Sequence, residues 1–213
     1  MLTINYINKR IDDEYCDATV NELKDCNLLN NYKKCKSVKN KIIKISNILK
    51  KYDINKTKID NIISDYLIEL IPAGTKGIIR GNKFNNIVKN TINNLKLSNN
   101  KFEICFEEQC KLYLTTEIPD WYILEKTTNK IIIGFNQLDL WTGGQQLNRG
   151  SKYLIDNKMN TNKSKLLCVI CNKIKFNSCK NKTYKLFETG YTNNTLCYVN
   201  GMKIIIYDFF NLE

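Results

Sequence analysis

Histidine is absent from the chain. That removes an imidazole general base, a His-activated nucleophile and a His-ligated metal together. A Ser-His-Asp hydrolase and an HNH-type nuclease are excluded on this ground. Chemistry resting on carboxylates, amides, lysine or cysteine survives, including a carboxylate site for magnesium. Long apolar runs are also missing: none approaches the ~20 residues that a membrane-spanning helix needs, so no membrane span is expected. Met1 to Arg10 holds no basic segment followed by an apolar stretch, so no signal peptide is expected. Acidic residues are outnumbered, 21 Asp+Glu against 33 Lys+Arg, which leaves a formal charge of +12.

That excess favours polyanionic partners, namely DNA, RNA or an acidic membrane surface. The competing explanation is compositional. The chain is crowded with Lys, Asn and Ile, the residues that an AT-rich genome over-encodes, as in a large DNA virus or an AT-rich microbe. A hydrophobic fraction of 43% over 213 residues is enough to bury a sizeable core. The nine cysteines are odd in number, and no secretion signal accompanies them. Reduced thiols in a cytoplasmic or other reducing intracellular compartment, a host cell included, are therefore the expectation.

Residues 11 to 71 read as helical. Ile42, Ile45, Ile48 and Leu49 form one stripe, and Ile59, Ile62, Ile63, Tyr66, Leu67 and Leu70 another, at spacings near 3.6. Asn55 or Thr57 is placed to cap the second helix, and Pro72 to end it. Ala73 to Gly77 reads as a turn, followed by a helix from about Arg80 to Leu95 with Phe84, Ile87, Val88, Ile92 and Leu95 on one face.

The pattern then changes to strands. Phe102–Phe106 alternates, Leu112–Leu114 is a second short apolar run, and Trp121 to about Leu140 reads as a hairpin. After Gly143-Gly144 a helix is expected from Gln145 to about Ile155. Lys165–Cys171 follows as a buried strand. Tyr184–Phe187, Leu196–Val199 and Met202–Phe209 read as further strands. The expected fold is α/β, a mixed central sheet flanked by helices, with a helical extension over 1–72 and the sheet-bearing core over 73–213.

The chemistry-bearing residues gather around the hairpin. Pro119 stiffens the start of one strand and Asp120 follows it; the return strand brings back Asn136, Gln137 and Asp139. Gln137 and Asp139 share a face because strand side chains alternate. One or two carboxylates with amide oxygens make a hard oxygen site suited to Mg²⁺, which can activate water and stabilise charge developing on a phosphate. Further on, Gln145, Arg149, Lys152 and Tyr153 fall on one helical face. Arg and Lys can hold phosphates there and Gln can read a base edge; a solvated face with Tyr153 in the core is the alternative. Cys168-x-x-Cys171 with Cys179 and Cys197 raises a zinc site. Inside an apolar strand, however, buried structural cysteines are the better reading. The basic loop Gly74–Gly77 with Arg80-Gly81 is not a Walker A motif. It either approaches a phosphate backbone or simply connects helices.

Pro119-Asp120, a hairpin, a polar pair on the next strand and then a helix resembles the PD-(D/E)xK nucleases, which include many type II restriction endonucleases. The helix beginning Gly81-Asn-Lys-Phe84-Asn85 looks like the first core helix of that fold, with Asn85 where the family often has Glu. Gly143-Gly-Gln-Gln-Leu-Asn-Arg149 with Lys152-Tyr153 is similar to the helix after the second motif, and Leu166–Ile170 to the strand after it. The resemblance covers about residues 75 to 172 and departs at one point: no acidic-x-Lys triplet follows Asp120 on the return strand.

What the resemblance implies is a restriction endonuclease-like core and an Mg²⁺-dependent deoxyribonuclease. Asp120 and Asp139 would bind the metal with Asn136 or Gln137 completing the shell, and Lys152 would replace the missing lysine. Asp120, Gln137, Asp139 and Lys152 are thus the catalytic candidates. Arg80, Lys83, Gln145, Gln146 and Arg149 are the candidates for contacts to double-stranded DNA. Symmetric cutting of two strands implies a homodimer. A catalytically degenerate nucleic-acid-binding protein of the same fold is the alternative.

Overall fold

A computed structural model describes residues 2–24, 35–112, 117–139, 144–154 and 159–213. By contacts the chain divides into two compact units: Met1–Val20 with Phe84–Glu213, and Asn21–Lys83. The first twenty residues, expected as part of the helical extension over 1–72, thus group with the sheet-bearing unit. Both divisions fall inside helices, one in α2 (Asp17–Lys24) and one in α5 (Ala73–Asn94).

The sheet-bearing unit is α/β, with helices flanking a five-stranded mixed sheet in the order β1-β2-β3-β4-β5. Strands β1 (Phe102–Phe106), β2 (Trp121–Glu125) and β3 (Ile131–Gln137) form an antiparallel meander. Helix α6 (Gly144–Leu154) then crosses to β4 (Ser164–Ile170), which runs parallel to β3. Helix α7 (Lys182–Thr192) crosses to β5 (Leu196–Tyr198), parallel to β4. A parallel pair needs such a crossover, whereas the antiparallel β2–β3 pair closes over the polar turn Lys126–Asn129. Asn129 takes φ 57° there, a left-handed conformation that Asn tolerates better than most residues.

The central strands are buried on both faces, so their sequences read as continuous apolar runs rather than alternating ones. Ile131 to Phe135 and Leu166 to Ile170 are all buried. One face packs against Ile7 and Ile11 of α1 (Ile4–Glu14), Tyr153 and Leu154 of α6, and Tyr184, Phe187 and Tyr191 of α7. Ile7 and Ile11 are one helical turn apart and fully buried, each worth roughly 1.5–3 kcal/mol of transfer free energy. Thr3 caps that helix, its hydroxyl accepting the Tyr6 N–H at 3.2 Å.

One close approach in the sheet requires glycine. Trp121 pairs with Gly134 across β2 and β3, and a Cβ on Gly134 would lie 1.8 Å from the indole ring. The indole therefore lies across the β3 backbone where any other residue would collide with it.

The strand readings of Tyr184–Phe187 and Met202–Phe209 are corrected: both stretches are helical, in α7 and in α8 (Met202–Phe210). The run Ile204-Ile205-Ile206 has the β-branched composition of a strand. Its burial has a helical period, because Met202, Ile205, Ile206 and Phe210 are buried while Ile204 is 72% exposed. The expected turn at Ala73–Gly77 is the first turns of α5, despite two glycines. The expected strand at Leu112–Leu114 falls mostly outside the described residues.

The second unit is helical. Helices α3 (Lys36–Lys51) and α4 (Lys56–Leu70) pack around Val38 and Ile71, joined by Ile42, Ile63, Leu70 and Ile79. Asn55 caps α4, its Oδ1 accepting the Lys58 N–H at 2.9 Å. Ile48 and Tyr66, members of the two expected stripes, are exposed.

Candidate functional site

The chain turns into β2 through Asp120, whose N–H donates to the Gly134 carbonyl at 3.1 Å. This places the carboxylate beside the outgoing end of β3. Asp120 Oδ2 accepts the backbone N–H of Asn136 at 2.7 Å, and Oδ1 accepts Asn85 Nδ2, from α5, at 3.2 Å. The amides close a ring around it. Asn136 Nδ2 donates to Asn85 Oδ1 at 3.0 Å, and Trp121 Nε1 donates to Asn136 Oδ1 at 3.1 Å. Asn85 Nδ2 reaches a second carboxylate as well, Glu107 Oε1, at 3.3 Å.

Asp120 is pushed above the usual carboxylate range, chiefly by burial, with the Asn136 N–H and the Asn85 amide pulling it back. Glu107 adds to the rise and Arg149 opposes it. All its hydrogen-bond donors are neutral; among the described residues no lysine or arginine forms an ion pair with it. A half-buried carboxylate with no cation against it is a place where a bound cation would be favourable.

Beside Asp120 opens a pocket of about 240 Å³, lined by Asp120, Phe135, Asn136, Gln137, Arg149 and Tyr153, with Glu117 and Ile118 at its side. Tyr153 stacks on Phe135, ring centroids 4.2 Å apart and planes within 9°. Its hydroxyl donates to Glu117 Oε2 at 3.3 Å. Burial, with Glu117 nearby, pushes that phenol up, so it is a donor throughout the neutral range.

The hairpin and α6 thus bring together five residues singled out from the sequence: Asp120, Asn136, Gln137, Arg149 and Tyr153. They do not bring the others there. Asp139 takes a hydrogen bond from Asn172 Nδ2, held close by the bond from the Asn172 N–H to the Leu138 carbonyl, and does not line the pocket. Lys152 Nζ is 2.8 Å from Glu117 Oε2, an ion pair at the pocket's side. Lys83 pairs with Glu22 at 2.6 Å in the helical unit, where Arg80 also lies on α5. The side chains of Gln145 and Gln146 lie outside the described residues, although α6 includes both positions. Cys168, Cys171 and Cys197 are buried and Cys179 is exposed, and no disulfide joins the described cysteines.

Glu107 and Glu117 escaped the sequence analysis. Glu107 follows directly on the register pair Phe106–Trp121, and its N–H donates to the Asp120 carbonyl at 3.0 Å. Pairing β1 against β2 at that register would have found it. Glu117 precedes Asp120 by three residues, and only the position of α6 reveals its role.

The donor set fits Mg²⁺ in the manner usual for that ion, which keeps several waters and takes one or two carboxylates together with substrate phosphates. Asp120 would hold it; of the other carboxylates nearby, Glu107 shares the Asn85 amide and Glu117 lines the pocket, while the Asn85 and Asn136 carbonyl oxygens are already accepting hydrogen bonds. Among the described residues no group of three or more Cys, Asp or Glu is gathered at metal-holding distances. No described helix is long and apolar enough to cross a membrane. No family model, curated protein or solved structure matches this chain.

Proposed function

We propose that the chain is a divalent-metal-dependent nuclease acting on double-stranded DNA, with a restriction endonuclease-like core in which Asp120 holds Mg²⁺. The observation that carries this is the Asp120 carboxylate: half-buried, met only by neutral donors, and set beside a polar pocket at the open end of the β2–β3 hairpin. The order of helix α5, antiparallel meander, helix α6 and parallel strand β4 supports the same reading, as does the charge of +12.

When bound, the ion would supply a Lewis acid for a phosphate oxygen and lower the pKa of a water. The residues divide the remaining work. The Asn136 N–H and the Asn85 amide fix the direction of the Asp120 carboxylate. Trp121 orients Asn136 through its indole N–H, and the Phe135–Tyr153 stack walls the pocket. Lys152 is held by Glu117, so Arg149 is the cation on the pocket side of α6. Cutting both strands of a symmetric site would require two copies of the chain.

The test is incubation with long unmethylated duplex DNA, with Mg²⁺ and with chelator. Discrete fragments appearing only with Mg²⁺ are expected; intact DNA in both would overturn the nuclease reading.

A second reading has its own observation. After Gly134, the register partner of Trp121, the return strand runs Phe135, Asn136, Gln137 and Leu138, with no acidic-x-Lys triplet such as the resemblance implies. A nucleic-acid-binding protein that keeps the fold without cleavage would give salt-sensitive binding and no fragments.

A further inference from the structure

Two polar side chains lining the pocket lack a protein partner among the described residues. Gln137, the last residue of β3, is only 8% exposed, and its carboxamide forms no hydrogen bond with any described residue. The residue is nine-tenths buried, yet its amide atoms are not among the fully enclosed unpaired ones, so what remains accessible of the side chain opens to the pocket. Arg149, exposed on α6 at the pocket's lining, makes no hydrogen bond or ion pair with a described residue, so its guanidinium is available to a ligand there. Of the pocket's acidic groups, Glu117 is matched by Lys152 at 2.8 Å and by the Tyr153 hydroxyl, while Asp120 accepts only the neutral donors of Asn85 and Asn136.

The two unmatched groups define a ligand. A carboxamide and a guanidinium converging on one pocket ask for acceptor oxygens carrying negative charge, and guanidinium matches phosphate by paired N–H donors. At about 240 Å³ the pocket is below the ~300 Å³ where small-molecule sites begin, so it suits one group of a larger molecule.

We propose that Gln137 and Arg149 form a phosphodiester-binding subsite, with Gln137 the neutral donor on the strand and Arg149 the charged donor on the helix. The proposal rests on the reading above in taking nucleic acid as the source of the phosphate. It places the phosphate between Arg149 and a cation on Asp120. Gln137 then supplies from β3 a hydrogen bond that the missing lysine would otherwise give, but without charge.

The test uses the full chain, ¹⁵N-labelled, in chelator. The Gln137 side-chain amide resonances are identified by their loss in Gln137→Leu. Inorganic phosphate, the dinucleotide thymidylyl-thymidine and thymidine are titrated separately. Phosphate and the dinucleotide should move the Gln137 resonances and thymidine should not. Arg149→Gln should weaken dinucleotide binding about tenfold or more, a loss expected for one charged donor on phosphate. Gln137→Leu should weaken it several-fold while leaving Tm unchanged or raised, since the amide has no hydrogen bond to a described residue to lose. Equal shifts with thymidine alone would make this a base pocket. A silent resonance, or a lowered Tm in Gln137→Leu, would make Gln137 structural; each of these overturns the proposal. A phosphate response without Mg²⁺-dependent cleavage would leave the subsite standing and remove the nuclease reading. Cleavage without that response would do the reverse.

Discussion

Glu14 and Asp120 are both half-buried carboxylates of the sheet-bearing unit, and partial burial pushes both above the usual range. They differ in what surrounds them. Glu14 is saturated: Arg10 contacts Oε1 at 2.5 Å, and Oε2 accepts the Tyr198 N–H at 3.1 Å. Gly201 fits so closely that an added Cβ would lie 2.7 Å from the Glu14 carboxyl carbon. The guanidinium of Arg10 in turn lies 4.2 Å from the centre of the Tyr191 ring. Charge, hydrogen bonds and space are all used up, which is how a carboxylate ties α1 to β5. Asp120 has neutral donors, a pocket at its side, and its nearest influential cation, Arg149, without a direct contact. One acid is finished by the fold and the other is left for something outside it.

The contrast is broken most strongly at Asp120. Asp120→Asn should lower Mg²⁺-dependent cleavage by about 10³ or more, the scale at which removal of charge stabilisation at a reacting centre is felt. Glu14→Gln should leave the rate of folded protein near that of wild type. Rates on the same duplex decide it, and equal losses in the two variants would erase the distinction. The next largest effect runs the other way. Glu14→Ala strands Arg10 in a largely buried position and should cost about 3 kcal/mol in urea unfolding, well above the change in Asp120→Asn. Gly201→Ala, which forces a methyl against the Glu14 carboxylate, should cost about 1–3 kcal/mol by overpacking. An unchanged unfolding midpoint would show that Glu14 has room to move.

The smallest effect is in pH. A carboxylate whose pKa is raised on folding holds its proton more tightly in the folded state. Its burial therefore counts against stability above the folded pKa, and that cost is relieved as pH falls from there toward the unfolded value near 4. Relative to Asp120→Asn, wild type should gain stability between pH 7 and pH 4.5, read from urea midpoints. Parallel curves would mean that Asp120 is not under this strain.

Strands β2, β3 and β4 were legible because strands buried on both faces announce themselves as β-branched runs between polar turns, as in Lys130–Phe135 and Lys165–Cys171. The helix α6 was legible from the glycines before it and from its periodicity. Helix α8 was not: Ile204-Ile205-Ile206 carries strand propensity, and only packing against the sheet selects the helix. The start of α5 was hidden by Gly74 and Gly77. In the candidate site, Asp120, Asn136, Gln137 and Arg149 could be named from the hairpin and the helix face, because those are short-range relations. The diversion of Asp139 to Asn172, and of Lys152 to Glu117, depends on where distant segments end, as does the arrival of Glu107 beside Asn85. Alternation along a strand gives no sign of such contacts.

The indole of Trp121 has a consequence of a different kind. It lies over Gly134 and hydrogen-bonds Asn136, whose backbone N–H holds Asp120. The chain has only one other tryptophan, Trp141. A Trp141→Phe protein would therefore carry a single intrinsic fluorophore wired to the candidate metal residue through one amide. Loading of a cation or a phosphate would become visible as a change in emission, with no label, no cleavage and no knowledge of the DNA sequence preferred.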